Sequence, residues 1–271
     1  MTTLRDELAS GAASLAQAGC ETPRLDAELL LAEVLGTDRA GLVIANSTRL
    51  TGDQRTRYMA LLTRRAMREP VAYILGRREF RRLSLAVDPR VLVPRPETEL
   101  LVEVGLELPS GARVVDVGTG SGAVALALKD ERPDLVVTGI ERDRAALAVA
   151  RANTQRLRLD VRWVEADLLD DGATYDAVIA NLPYVREGES LPPEVSEFEP
   201  ASALFAGPDG LAAIRRLVAI VGDREEVSTV ALEIGAEQGA AVSELVAGAG
   251  FGSVEVRRDL AGDDRVVVGR R

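Results

Sequence analysis

From residue 111 onward, short β-branched runs alternate with amphipathic helical stretches, and no other feature narrows the possible folds as much. Strands are predicted at 113–117, 136–140, 161–164, 176–180, 229–234, 253–256 and 265–268, and helices at 123–131, 144–157, 211–221 and 238–249. Parallel strands need long crossovers, and helices filling those crossovers cover both sheet faces. The pattern therefore predicts an α/β fold with a doubly wound, mostly parallel, seven-stranded sheet. Ala261-Gly262-Asp263-Asp264 is too short for a crossover, so the last two strands are predicted to pair antiparallel. Ligands of such sheets bind at the carboxyl ends of the strands, near the point where strand order reverses.

Residues 1–76 carry helical signals and no strand pattern. Leu4, Leu8 and Leu15 mark one apolar stripe. Thr22-Pro23 reads as an N-cap and first-turn proline for a helix ending at Gly36. Thr51-Gly52-Asp53-Gln54 fits a capping box, and Glu69-Pro70 opens a further short turn. Leu83, Leu85 and Val87 alternate, and Val91-Leu92-Val93 follows Asp88-Pro89, which predicts a β-hairpin linker over 77–96. The expected organisation is a small helical domain (1–76), that linker, and an α/β domain (97–271).

Composition removes several chemistries. There is no histidine, which excludes Ser-His-Asp and Cys-His mechanisms and most zinc sites; no metal is expected. The single cysteine, Cys20, forms no internal disulfide, the N-terminus lacks an apolar signal core, and no apolar run approaches about 18 residues. A cytoplasmic protein without a membrane span is expected. The formal net charge of −10 argues against nonspecific nucleic-acid binding. Residues 49–95 nevertheless hold 12 arginines against 4 acidic residues, whereas 96–271 hold 18 basic and 32 acidic residues. The arginines read as a solvated helix face, with an acidic partner as the alternative.

Val114-Val115-Asp116-Val117-Gly118-Thr119-Gly120-Ser121-Gly122-Ala123 is a strand running into a glycine-rich turn that opens a helix. Glycine permits positive φ and close ligand approach, and the helix N-terminus offers free N–H groups. Glu141 follows Gly118 by 23 positions, at the end of the second strand, where a carboxylate can take both hydroxyls of a ribose. An adenosine cofactor follows. The spacing also satisfies a dinucleotide fingerprint, but two acids favour S-adenosylmethionine. Asp116 is placed to orient the loop or bind a cofactor amino group, and Asp167 to accept the adenine amino group, with Leu168 against the ring. A helix or turn cap is an equal reading of Asp167.

Asn181-Leu182-Pro183-Tyr184 directly follows the apolar run 177–180. An Asn side-chain oxygen and the next carbonyl, at a strand end, form two acceptors spaced for one planar NH2 group. That pair suits methylation of an amide or an aromatic exocyclic amine. Glu97 and Thr98 are candidates for lining a substrate channel, with capping of their own helix the stronger reading. Segment 186–200, rich in Glu and Pro, reads as a mobile lid beside the acceptor pair, with a plain surface loop as the alternative.

Asp-Val-Gly-Thr-Gly-Ser-Gly at 116–122, Asn-Leu-Pro-Tyr at 181–184 and Pro-Arg-Pro-Glu-Thr-Glu at 94–99 together resemble the HemK-type, release-factor glutamine N5-methyltransferases. Glu197-Phe198-Glu199-Pro200, Asp209-Gly210-Leu211 and Asp259-Leu260-Ala261-Gly262 extend the likeness over nearly the whole chain. The resemblance implies a class I, Rossmann-like methyltransferase that converts S-adenosyl-L-methionine to S-adenosyl-L-homocysteine. The methyl group goes to the glutamine of the Gly-Gly-Gln loop in peptide-chain release factors, which are the implied partners; no direct nucleic acid is expected, and a monomer is. It places Gly118 to Gly122, Glu141, Asp167, Leu168 and Asn181 at the cofactor, and Asn181 to Tyr184 at the substrate glutamine. The family more often carries Pro where this chain has Leu182. A carbonyl acceptor survives that change, and Pro183 keeps Leu182 extended.

Three other readings remain at this point. An adenine-N6-type nucleic-acid methyltransferase would use the same acceptor pair, but needs a basic channel with stacking aromatics. A nicotinamide-dependent oxidoreductase leaves Asn181 to Tyr184 without a role. A noncatalytic S-adenosylmethionine-binding module would dock release factors without turnover.

Overall fold

The computed structural model describes residues 3–170 and 172–271 in two compact units. One unit holds the chain up to Arg77 together with Leu191–Phe198, and the other holds Arg78–Ser190 and Glu199–Arg271.

The first unit contains α1 (Leu4–Gln17), α2 (Pro23–Leu35), α3 (Arg39–Ile44), α4 (Gly52–Ala66) and α5 (Val71–Leu75). Reciprocal capping boxes start α1, between Thr3 and Asp6, and α4, between Thr51 and Gln54, and satisfy otherwise orphaned N–H groups. Gly36, at φ 64°, ends α2 as expected, but Thr22 does not cap it: its hydroxyl donates to Asp26 Oδ1 at 2.8 Å. Leu4, Leu8, Leu15, Leu30, Leu31 and Tyr58 fill the core.

Asp26, Arg65, Arg68 and Glu194 form a largely buried charge cluster in this unit. Arg65 Nε donates to Asp26 Oδ2 at 2.7 Å, and Arg65 and Arg68 both donate to Glu194 Oε1, at 2.8 and 2.7 Å. Glu194 sits on the short helical turn Pro193–Ser196. The middle of the segment expected to be a mobile lid is therefore an ordered strap tied to the helical unit. The arginine-rich stretch is likewise largely committed, since eight of its twelve side chains pair with carboxylates.

The hairpin strands are β1 (Arg77–Phe80) and β2 (Leu83–Ala86), closed on Arg81-Arg82. They lie earlier than expected. Residues 91–93 form no strand because the Asp88 carboxylate and carbonyl bend the chain, accepting from Arg90 N–H and Val91 N–H. Pro94 and Pro96 then deny the ladder its donors. A 3-10 turn, Pro96–Thr98, leads into α6 (Glu99–Leu106).

The sheet comprises β3 (Arg113–Val117), β4 (Val136–Glu141), β5 (Arg162–Glu165), β6 (Ala177–Ala180), β7 (Thr229–Glu233), β8 (Ser253–Arg258) and β9 (Asp264–Arg270), in the order β5-β4-β3-β6-β7-β9-β8. Pairs up to β7 are parallel, and β9 runs antiparallel to both β7 and β8. The crossovers carry α7 (Ala123–Glu131), α8 (Arg144–Leu157), α9 (Ala212–Gly222) and α10 (Gly239–Gly248). Side chains alternate between the faces: Val114 and Ile179 point to α6 and α7, whereas Val115 and Val178 point to α9 and α10. Strand order reverses between β3 and β6, so their carboxyl ends open a crevice there. No described helix is long and apolar enough to cross a membrane.

Candidate active site

The carboxyl ends of β3, β4 and β6 surround a cavity of about 360 Å³. Leaving β3, Gly118, Gly120 and Gly122 take φ of 72°, 54° and 84°. At Gly118 a Cβ would also come within 3.0 Å of Leu182 Cδ2, so only glycine lets the turn lie against the neighbouring strand end. Asp116 is buried beneath the turn. Its Oδ2 accepts from the Thr119 hydroxyl and, at 3.2 Å, from Ala125 N–H. Burial pushes its carboxyl up to about 6, against those two bonds and with the charge of Glu141 adding. Of the two expectations for Asp116, orienting the loop is the one these bonds satisfy.

Glu141, ending β4, spans two turns: Oε2 accepts from Gly120 N–H at 3.1 Å and Oε1 from Asp143 N–H at 3.0 Å. Each carboxylate oxygen keeps a further lone pair toward the cavity. Beyond β5, Asp167 and Leu168 form part of the rim. Leu168 is buried at φ 68°, a left-handed conformation that costs a leucine on the order of 1 kcal/mol and is typical of ligand clamps. Asp167 pairs with Arg216 of α9 at 2.7 Å, a contact the sequence reading did not foresee.

Asn181 leaves β6 with its Nδ2 donating to Thr98 Oγ1 at 3.1 Å. The Asn181 Oδ1 and the Leu182 carbonyl accept no hydrogen bond from the described residues. The Leu182 side chain turns into the core under Gly118. Tyr184 is held at both ends. Its carbonyl accepts from Gln238 Nε2 at 3.0 Å, and its hydroxyl donates to Glu233 Oε1 at 3.3 Å. Gln238 is itself fixed by Gly235 N–H at 2.9 Å. Gly210, at φ 73°, makes room for this arrangement, since a Cβ there would collide with the Tyr184 carbonyl.

Of the residues singled out from sequence, Thr98, Asp116, Gly118, Thr119, Gly120, Ser121, Glu141, Asp167, Leu168, Asn181, Leu182 and Pro183 line the cavity. Gly122 caps α7 instead. Tyr184 lines an adjoining hollow beside Gln238 and Gly235. Glu97 is not at the wall. The capping reading of Thr98 fails for its side chain, which makes no capping bond at the start of α6 and is engaged by Asn181. Sequence reasoning missed Arg216 and Phe205 on the wall and Glu233 and Gln238 behind it. The signals for the last two were faint, an acid ending a strand and an amide three residues after Gly235.

A family model described as the PrmC N-terminal domain matches residues 6–76, and one described as a methyltransferase small domain matches 96–202. The chain is 44% identical over 263 residues to a release factor glutamine methyltransferase of Burkholderia pseudomallei, covering 91% of each protein. It is 40% identical to that of Mycolicibacterium smegmatis, over 100% of this chain and 99% of the other. A solved methyltransferase from Pyrococcus furiosus matches at a TM-score of 0.52 and 19% identity, over 69% of this chain and 87% of that one, a likeness of fold alone.

Proposed function

The chain belongs to the release factor glutamine methyltransferase family, and from that membership we propose the reaction it catalyses. It transfers a methyl group from S-adenosylmethionine to the side-chain nitrogen, N5, of the glutamine in the Gly-Gly-Gln loop of peptide-chain release factors. The observation that carries this is the pair of unengaged oxygens at the end of β6, on Asn181 and Leu182, at the wall of a glycine-lined cavity.

The donor set fits the cofactor. Gly118 and Gly120 offer backbone without a Cβ, and the Glu141 carboxylate retains lone pairs for two ribose hydroxyls. Asp167 and Leu168 offer a carboxylate for the adenine amino group and an apolar face for the ring. Thr119 and Ser121 complete the turn. When bound, the cofactor supplies a methyl group on a sulfonium, an electrophile strong enough for a weak nucleophile.

A carboxamide nitrogen is weak because its lone pair is delocalised into the carbonyl, so the chain's task is alignment. Asn181 Oδ1 and the Leu182 carbonyl each accept one N–H of the glutamine amide. That fixes the amide plane and favours positive charge growing on nitrogen. Pro183 keeps Leu182 extended, and Tyr184 anchors the far end of the tetrapeptide. No histidine is needed, because the methylated amide loses its surplus proton readily to water. A glutamate carboxylate has no donors and would meet two lone pairs. The same pair would accept an exocyclic amine of a base, so family membership is what favours the carboxamide.

Intact-protein and peptide mass spectrometry of a purified release factor, incubated with this chain and S-adenosylmethionine, tests the reading. A gain of one methyl on the Gly-Gly-Gln glutamine is expected. An unmodified glutamine, or a methyl on nucleic acid instead, would overturn it.

A further inference from the structure

Behind the acceptor pair, at the end of β7, lies a carboxyl group that the transfer as described does not use. Glu233 is 1% exposed and has no ion-pair partner among the described residues. Its Oε1 accepts from the Tyr184 hydroxyl, and its Oε2 has no hydrogen-bond partner among the described residues. Leaving a buried carboxylate oxygen unsatisfied is costly, so such a group calls for an explanation.

The neighbours supply one. Glu233 is bordered by Thr98 and Glu97 of the 3-10 turn, by Tyr184 beyond β6 and by Arg265 of β9. Thr98 holds the first residue of the acceptor tetrapeptide, Asn181, and Tyr184, bonded to Glu233, is its last. Given the carboxamide transfer above, we propose that Glu233 is a positioning residue: through Thr98 and Tyr184 it sets which atom of the Asn181 amide faces the substrate.

The proton count makes the case. Thr98 has one hydroxyl proton, and its oxygen accepts from Asn181 Nδ2, so the proton must be donated elsewhere. The ionised Glu233 carboxyl, which already accepts from Tyr184 and has Oε2 unpartnered, is the adjacent acceptor to which we assign that proton. Burial also keeps the Tyr184 phenol protonated, raising its pKa together with the charge of Glu233. In this state Asn181 Nδ2 is committed to Thr98 and Oδ1 is left for the substrate NH2. A protonated Glu233 reverses the relay. It donates to Thr98 Oγ1, and the Thr98 proton, no longer drawn to Glu233, then favours the Asn181 rotamer with Oδ1 turned inward as its acceptor. The cavity would then meet Nδ2, a donor, which opposes a carboxamide NH2 and suits a carboxylate. Burial pushes the Glu233 carboxyl up to about 7, with Glu97 adding and Thr98, Arg265 and Tyr184 opposing, so the two states exchange near neutral pH.

Initial-rate kinetics of the full chain on intact release factor, from pH 5.5 to 9, with calorimetric titration of S-adenosylmethionine, provide the test. Wild type should lose kcat on the acid side with a midpoint near 7. Glu233→Gln should lower kcat at pH 8 by about 10- to 100-fold, the scale of a misaligned reacting group, and abolish that midpoint. Thr98→Val should reproduce the loss, and the double variant should fall no further than either single one. S-adenosylmethionine affinity should stay within about twofold throughout. A Glu233→Gln enzyme with wild-type kcat and an unchanged acid limb overturns the proposal. So does a parallel loss of cofactor binding in both variants, which would make Glu233 a prop for the fold. A wild-type enzyme that leaves the glutamine unmethylated defeats the carboxamide reading itself, before any variant is compared.

Discussion

In the helical unit Glu194 meets two guanidinium groups, whereas at the end of β7 Glu233 accepts from one hydroxyl, that of Tyr184, and has no paired cation among the described residues. Burial alone would push both carboxyls up. At Glu194 the bonds from Arg68 and Arg65 outweigh it and hold the carboxyl at about 2, while at Glu233 burial wins and the carboxyl rises to about 7. The first arrangement fixes a strap to a set of helices and is indifferent to pH near neutrality. The second leaves a charge only partly satisfied, which is tolerable where, as proposed above, its protonation state selects a geometry. One chain thus uses matched buried charge for structure and unmatched buried charge beside its chemistry.

The largest effect should come from unmatching the matched cluster. Arg65→Met leaves Asp26 buried without its guanidinium and removes one of the two donors to Glu194 Oε1. Breaking such a pair typically costs about 3–5 kcal/mol, readable as a lowered urea midpoint for the helical unit. A loss below about 1 kcal/mol would show that the cluster is not what holds the strap. Next comes the acceptor itself. Asn181→Ala should cut kcat by about 100- to 1000-fold with cofactor affinity within about twofold, measured by methyl-transfer assay and calorimetry. Full activity in that variant would refute the acceptor role.

The difference between these regions was only partly legible in the sequence. The bounds of α7 and α8 were read correctly because local chemistry marks them: Gly122 at φ 84° opens one, and Asp143, accepting from Ala145 N–H, caps the other. The hairpin was placed too late because its turn, Arg81-Arg82, carries no glycine or asparagine, and the alternation at 83–87 ran on into apolar residues 91–93. α3 is six residues long, too short to show a period. The glycine turn and the tetrapeptide proposed to hold cofactor and substrate were visible because each is contiguous. Glu233 and Gln238 were not, because one reads as an ordinary strand end and the other as a helix start. Their meaning comes from sitting behind Tyr184, which only the packing of β7 against β6 arranges.

Titration separates the two carboxyls by sign. Glu194 has a depressed folded pKa, so its contribution is present above the unfolded value near 4.5 and is lost as pH falls toward 2. Glu233 has a raised folded pKa, so the native state binds the extra proton between 4.5 and 7, and stability falls as pH rises through that window. The penalty above pH 7 is on the order of 3 kcal/mol. Glu233→Gln should therefore raise Tm at pH 8 by about 3–6 °C while it lowers kcat, and should change Tm little at pH 5. A lowered Tm at both pH values would mean that the ionised carboxyl stabilises the fold. Asp116, at about 6, titrates nearby, so the difference between variant and wild type is the informative quantity.

The smallest effect is expected at the cavity rim, where Asp167 and Arg216 form an ion pair with both side chains about half exposed. Water screens such a pair, and its worth is about 0–1 kcal/mol. Arg216→Ala should shift Tm by less than about 2 °C and leave Asp167 as free as before for its proposed bond to the adenine amino group, so cofactor affinity should change by no more than about threefold. Asp167→Ala removes the acceptor itself and should weaken cofactor binding by about tenfold with equally little effect on Tm. If Arg216→Ala instead destabilised the protein as strongly as Arg65→Met, burial would not be what separates structural charge from functional charge in this chain, and the contrast between Glu194 and Glu233 would lose its physical basis.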